Sequence, residues 1–303
     1  MDTRSKIILI YGPTASGKSS FAIKVAKKIN GEIINADSMQ VYKELQILTA
    51  RPFKKDQDKI KHHLYGFISV KKNFSTGTWL KKAINKIKEI QKRKKVPILV
   101  GGTGLYFKSI TEGLVEMPNI PLKFRNEIRL LQKKIGQKKF YDNLIKVDPL
   151  VKDQFDSNDV QRTIRAFEIK KFTKKSITKW FKKTKILLNP NNFVKMYIDF
   201  PREKLVLKIK KRVEQMFQKG AILEVKRFNK LKVKNDNSSR KVIGIGEISK
   251  YLNRELNINE VKERIYIKTR QYAKRQTTWA RGQMIYWKKI HPKNLSIALK
   301  KLK

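Results

Sequence analysis

Residues Gly12–Ser19 read GPTASGKS, following the apolar run KIILIY and preceding SFAIKVAKKI. A GxxxxGK[ST] pattern between a β-rich run and a helical stretch is the signature of a phosphate-binding loop. No other feature constrains the fold as strongly, because the loop requires a strand that delivers it and a helix that it opens. Gly12 and Gly17 permit the turn. The loop of Gly12, Pro13, Thr14, Ala15, Ser16 and Gly17 then directs backbone N–H groups at an anion. Lys18 neutralises phosphate charge, and the Ser19 hydroxyl is placed to ligate Mg²⁺. Thr14 and Ser16 offer further hydroxyl donors.

The runs KIILIYG, GEIINADS and VPILVGG are short, β-rich and end in Gly or Asp. The helical stretches SFAIKVAKKI and GTWLKKAINKIKEIQKR separate them. Strand–helix alternation predicts a parallel α/β sheet. From Glu116 the pattern becomes amphipathic helix without strands until FVKMYIDF, which reads as one more strand. Two long helical stretches follow, from Arg202 and from Asn259. The expected organisation is a core of 1–115 and 192–303, interrupted by a helical insertion over 116–191. KVKNDNSSRK reads as a polar, mobile loop, and the lysine-rich ALKKLK as a solvated helix end.

A nucleotide-hydrolysing enzyme of this class also has a strand ending in an acid that holds the metal. The best later strand ends in VGGTG, with no acid. GGTG alone also reads as a simple tight turn. The acid lies instead at Asp37, after EIINADS, where strand ends line the ligand crevice. The alternative reading of Asp37 is a cap on the segment that follows.

There are 72 basic and 25 acidic residues, a net charge of +47. Such a surface binds polyanions through counterion release and points to nucleic acid. AT-rich codons would also inflate lysine, so part of the charge carries no functional meaning. There is no cysteine, no apolar run long enough to cross a membrane and no secretory pattern in MDTRSK. A cytoplasmic protein without disulfides is expected. Three histidines and no cysteine give too few ligands for zinc. His62 and His63 read as structural or as edging the phosphate site.

In this order, GPTASGKS, NADSMQVY, TARP, HH, VGGTGLYFKSITEGL, DVQRTIRAFEI and TRQYAKRQTTWARG together resemble the bacterial tRNA dimethylallyltransferases. The resemblance runs from Lys6 to Trp287. It implies a P-loop NTPase-like core with a helical insertion, and transfer of a dimethylallyl group from dimethylallyl diphosphate to N6 of an adenine in tRNA. That adenine is the one 3′ of the anticodon in tRNAs reading codons that begin with U. The loop would then hold the departing diphosphate with Mg²⁺, and the missing second acid is accounted for. A related class prenylates free adenine nucleotides. It would need neither the insertion nor the basic C-terminal helices.

By the same resemblance Asp37 is the general base, Thr103 lies near the reacting adenine and diphosphate, and Arg212 reaches the diphosphate. Arg212 reads alternatively as an exposed helix charge. Ser38, Met39 and Gln40 follow Asp37 in the segment that contacts the flipped base, with Met39 open to a core role. Arg125, together with Gln161, Arg162, Thr163, Ile164 and Arg165, is implied to contact tRNA. So is the segment Lys241, Val242, Ile243, Gly244, Ile245 and Gly246. Arg270 and Lys274 form a basic stripe with interleaved Tyr272 and Trp279, Trp279 being read as core. Lys174 stands where the family has glycine. A monomer is expected.

Overall fold

The computed structural model describes residues 6–53 and 60–302. Met1–Ser5, where no secretory pattern is read, and Lys303 of the tail lie outside the described residues. Six strands form one sheet: β1 Ile7–Tyr11, β2 Gly31–Asn35, β3 His62–His63, β4 Val96–Gly101, β5 Phe193–Ile198 and β6 Lys288–Ile290. Their order is β3-β2-β4-β1-β5-β6 with every pairing parallel. All residues of β1, β2 and β4 are buried. This is why β1 and β4 are continuous apolar runs that do not alternate.

Register sets the working edge. Tyr11 lies opposite Gly101, and Asn35 opposite Val100. The segments that leave β1, β2 and β4 therefore emerge side by side at the strands' C-terminal ends. The glycines at the end of β4 and just after it are there because neighbours come close. A Cβ on Gly101 would lie 2.0 Å from the Ala36 carbonyl oxygen, one on Gly102 would lie 2.1 Å from Gln276 Nε2, and one on Gly104 would lie 2.1 Å from Trp279 Nε1. GGTG is thus a seam of close packing as well as a turn.

Contacts divide the chain into two compact units, residues 1–111 with 188–303, and residues 112–187. In the first, α1 (Lys18–Lys28) and α2 (Thr76–Lys92) cover the sheet. Ser75 Oγ caps α2 by accepting the Thr78 N–H at 3.0 Å. Trp79 on α2 is wholly buried, donates Nε1–H to the Asn35 carbonyl at 2.8 Å, and stacks on Tyr106 of α3 (Gly104–Glu112) with ring centroids 4.0 Å apart. Asn35 is thereby held at the end of β2, two residues before Asp37.

The second unit holds α4 (Leu122–Ile135), α5 (Gln137–Val147), α6 (Val160–Thr173) and α7 (Ile177–Phe181) around a core that includes Phe140, Leu144, Ala166 and Phe167. Asp159 Oδ1 starts α6 by accepting the Arg162 N–H at 3.0 Å. Lys174 ends it at φ 60, a left-handed position of the kind glycine takes most easily.

The C-terminal part of the first unit adds α8 (Arg202–Gln218), α9 (Ala221–Lys230), α10 (Ile245–Leu252), α11 (Ile258–Gln283) and α12 (Leu295–Lys300). KVKNDNSSRK is not the loose loop expected from its composition. Asn237 and Ser239 are buried, and Ser239 Oγ donates to the Val70 carbonyl at 2.8 Å. The short strands β3 and β6 carry no pattern long enough to be read from sequence.

Candidate active site

The phosphate loop leaves β1 at Gly12. Two of its residues, Ala15 and Gly17, have positive φ, 62 and 83. A Cβ on Gly12 would meet Ser16 Oγ at 2.8 Å, so glycine is needed there for space. Ser16 Oγ is buried and has no hydrogen-bond partner among the described residues. A buried hydroxyl inside an anion loop without a partner fits a ligand that supplies the acceptor.

The loop lines a cavity of about 420 Å³. Residues Thr14 to Ser20 form one end, and Asp37, Ser38, Met39 and Gln40 form one side. Arg212 enters from α8, and Thr269, Tyr272 and Arg275 from α11. Leu48, Ile209, Val213, Met216, Val242, Ile243 and Ile265 make the rest largely apolar.

Two cations face the loop. Lys18 Nζ donates to the Pro13 carbonyl at 3.1 Å, and Arg212 Nη1 donates to Thr14 Oγ1 at 2.8 Å. Arg212 is half-buried and tied to the loop, unlike an exposed helix charge. Desolvation lowers the Lys18 pKa to about 8, despite the pull of the Asp37 carboxylate, and the Arg212 charge pushes the same way as burial. Burial also lowers Arg212, against Asp37 and Tyr272. Two desolvated cations share one carboxylate here. A polyanion is the species that would relieve them.

Asp37 sits on an Asx turn. Its Oδ1 accepts the Met39 N–H at 3.0 Å, and its own N–H donates to Asn35 Oδ1 at 2.9 Å. Oδ2 accepts no hydrogen bond from a described residue. The capping role is therefore real but occupies one oxygen. Thr103 stands beside it: Ser38 N–H donates to Thr103 Oγ1 at 2.9 Å, and the Thr103 hydroxyl donates to Ser38 Oγ at 3.2 Å. Gln40 Nε2 reaches the Thr49 and Ala50 carbonyls at 2.9 and 3.1 Å. Met39 does both things considered for it, packing on the core and lining the cavity.

The remaining sequence candidates divide. Lys241, Val242 and Ile243 line the cavity, while Gly244 and Ile245 are buried and Gly246 is exposed. Gly244, at φ 107, starts α10 by donating its N–H to Glu247 Oε2 at 2.9 Å. Arg270 and Lys274 are exposed on α11 outside the cavity lining, and Arg270 lies 5.2 Å over the Tyr266 ring. Trp279 is half-buried against Gly104.

In the second unit, the buried Glu168 carboxylate gathers Arg125 at 3.2 Å, Arg129 at 3.9 Å and Arg165 at 3.0 Å. Gln161 and Arg162 are exposed and Ile164 is half-buried. Thr163 is fully buried, donates to the Asp159 carbonyl at 2.9 Å and receives Gln137 Nε2 at 3.1 Å. Its side chain is spent inside the unit and offers RNA nothing.

His63 lies away from the phosphate loop. On edge strand β3 its Nε2 meets Glu32 Oε2 at 2.6 Å. Glu32 begins β2, the end opposite Asp37. Sequence reasoning passed over Gln276, Leu48 and Thr49, and read Tyr272 as part of the basic RNA-facing stripe where the structure puts it, with Arg275, in the cavity lining. A signal existed for Gln276, a polar residue on the buried α11 face of Val261, Ile265, Ala273 and Ala280.

A parallel sheet with a phosphate loop, two cations and a carboxylate in one cavity defines an α/β group-transfer enzyme of the P-loop type. Known proteins narrow this class. The model of the IPP transferase family matches residues 40–283. A tRNA dimethylallyltransferase of Pelagibacter ubique (strain HTCC1062) is 62% identical over 303 residues, covering 100% of this chain and 97% of its own length. One from Rickettsia massiliae (strain Mtu5) is 43% identical over 93% of this chain and 78% of its own. The crystal structure of a tRNA isopentenylpyrophosphate transferase from Staphylococcus epidermidis superposes with a TM-score of 0.69 at 32% identity, over 98% of this chain and 97% of that one. A eukaryotic dimethylallyltransferase acting on tRNA gives a TM-score of 0.81 at 29% identity, over 96% of this chain and 75% of that one. The chain belongs to the IPP transferase family and has its P-loop NTPase-like fold.

Proposed function

We propose that this chain is a tRNA dimethylallyltransferase. It transfers the dimethylallyl group from dimethylallyl diphosphate to N6 of the adenine 3′-adjacent to the anticodon, in tRNAs reading codons that begin with U. The observation that carries the reading is the composition of the cavity: Lys18 and Arg212 at a phosphate loop, Asp37 alongside, and an apolar remainder, with Thr103 just behind the lining on Ser38.

The exocyclic amine is a weak nucleophile because its lone pair is delocalised into the ring. As the N6–C1 bond forms, the C1–O bond of the donor breaks and the proton on N6 passes to Asp37. The bonding electrons leave with the diphosphate. Charge growing there meets Lys18, Arg212 and the loop amides, which are in place before reaction. Water must be kept out, or the allylic donor is hydrolysed, and the apolar wall serves that end.

The donor set fits a magnesium ion held through substrate. Ser19 lines the cavity with an exposed hydroxyl, and among the described residues there is no group of three His, Cys, Asp or Glu that could cage a metal. Mg²⁺ commonly binds one or two protein oxygens plus phosphates. When bound, it would neutralise diphosphate charge.

The exposed cations Arg162, Arg270 and Lys274, with Arg125 and Arg165 on Glu168, are the residues we assign to the tRNA backbone. Among the described residues no helix is long and apolar enough to cross a membrane, and we place the enzyme in the cytoplasm, as a monomer.

The test is a transfer assay with Mg²⁺, labelled dimethylallyl diphosphate, and either an anticodon stem-loop or AMP. Label on the stem-loop, lost when the one adenine becomes guanine, is the expected result. Label on AMP alone would make the acceptor a free nucleotide. ATP consumption without transfer would overturn the reading.

A further inference from the structure

Glu224 lies on α9, outside the cavity lining and outside the motifs quoted for the family resemblance. It is nevertheless buried, 8% exposed, and its carboxylate is used in full. Oε2 accepts the backbone N–H groups of Gln46 and Ile47, each at 2.8 Å, and Oε1 accepts that of Leu48 at 3.0 Å. Three consecutive amides on one carboxylate form a clamp. The clamped segment belongs to no helix or strand, so the ladder that normally fixes backbone is missing and a side chain far along the chain does that work.

What the clamp holds is one wall of the cavity. Leu48, Thr49 and Ala50 line it. Gln40 ties the Thr49 and Ala50 carbonyls from the other side. Gly244 makes room for Leu48: a Cβ there would lie 2.7 Å from Leu48 Cδ2. Val213 and Met216, on the same helix as Arg212, line the same cavity. A diphosphate on Lys18 and Arg212 would leave its hydrocarbon tail among these apolar residues, and Leu48 would then bound the length of that tail.

We propose that Glu224 is a positioning residue which, by holding the backbone at Gln46–Leu48, sets the depth of the apolar half of the cavity and so selects for a short allylic donor. This rests on the reading of the donor as an allylic diphosphate. A glutamine at position 224 keeps one acceptor oxygen but turns an N–H₂ group toward at least one backbone N–H. The wall should loosen while the helix that carries it stays intact.

The experiment compares the C5 donor, dimethylallyl diphosphate, with the C10 donor, geranyl diphosphate, on the same anticodon stem-loop. The readout is the ratio of their kcat/KM values, which does not depend on how much of the protein is folded. In Glu224→Gln we expect the C5-over-C10 ratio to fall about tenfold, with the donor KM rising and the stem-loop KM unchanged. Leu48→Ala, which widens the wall directly, should move the ratio the same way. An unchanged ratio in Glu224→Gln, with both donors slowed equally, would make Glu224 merely structural and overturn the proposal. So would an unchanged ratio in Leu48→Ala. Failure of the unaltered protein to use either donor would instead remove the parent reading, and this one with it.

Discussion

Gln276 takes the Thr14 backbone N–H on its Oε1 at 2.8 Å. The same side chain donates Nε2–H to the Gly102 carbonyl at 2.8 Å, and the Tyr11 hydroxyl donates to the Gln276 carbonyl, also at 2.8 Å. One glutamine on α11 thus joins the phosphate loop, the end of β1 and the turn after β4. The loop is held in shape before any anion arrives, which is the condition for electrostatic preorganisation. Gln276→Leu strands two buried backbone groups, at a cost of about 1–3 kcal/mol. A lower melting temperature and a donor KM raised about tenfold are expected, from thermal unfolding and initial rates.

Lys18 makes diphosphate binding pH-dependent. Its pKa of about 8, against an ordinary 10.5, means that the free protein loses this charge as pH rises through 8. Affinity for inorganic diphosphate should hold below pH 8 and then fall, by up to about tenfold per pH unit. In the ligand-free protein the sign for stability is opposite. Burying the charged form penalises folding fully below about 8, and the penalty fades as pH rises from 8 to 10.5. Titration calorimetry of diphosphate from pH 7 to 9.5 checks this; Lys18→Met should bind weakly and show no such break.

Asp37 has a separable role. Asp37→Asn keeps an oxygen to accept the Met39 N–H, so the Asx turn survives. It removes the base, and transfer should fall by about 10²–10⁴-fold. Stem-loop binding should stay within about threefold. A matching loss of binding would show the carboxylate to be structural.

Glu32 predicts the acid limb of stability. Burial pushes its pKa up, but hydrogen bonds from Arg93 and His63, and the nearby Lys95, outweigh that and hold it at about 2, against an ordinary 4.5. A depressed carboxylate contributes stability that is complete above 4.5 and is lost as pH falls toward 2. Burial lowers His63 in spite of Glu32, so at neutral pH the imidazole is uncharged and donates Nε2–H. The stability difference between the unaltered protein and Glu32→Gln should be flat from pH 5 to 7 and shrink below 4.5, read by urea unfolding.

Lys174 ends α6 in the left-handed region at φ 60, and its N–H closes on the Lys170 carbonyl at 2.9 Å. A β-carbon in that conformation costs about 1 kcal/mol. Lys174→Gly should stabilise the second unit by up to that amount, less the added entropy of the unfolded chain. A denaturation midpoint that moves down would show that the lysine side chain makes a compensating contact.

The strands and the anion loop were legible in the chain because they rest on local chemistry. Ile7–Tyr11 must be buried on both faces, GxxxxGK[ST] can only turn one way, and FVKMYIDF has the composition of a strand. Lys18 was legible from the loop pattern and Asp37 from its place after a strand end, while the roles of Thr103 and Arg212 came only through the family resemblance. What tertiary structure alone decided is whatever depends on partners far away in sequence. β3 and β6 are two- and three-residue strands that exist only because β2 and β5 offer them an edge. The segment KVKNDNSSRK is polar, yet Ser239 is buried because the Val70 carbonyl waits for it. Thr163 and Arg165 are neighbours in one motif, and only the turn of α6 sends the first inward and the second to Glu168. Gln276 and Glu224 were silent for the same reason. Each acts on backbone groups more than 170 residues away, and a hydrogen bond to a backbone amide leaves no mark on the identity of the residue that donates it.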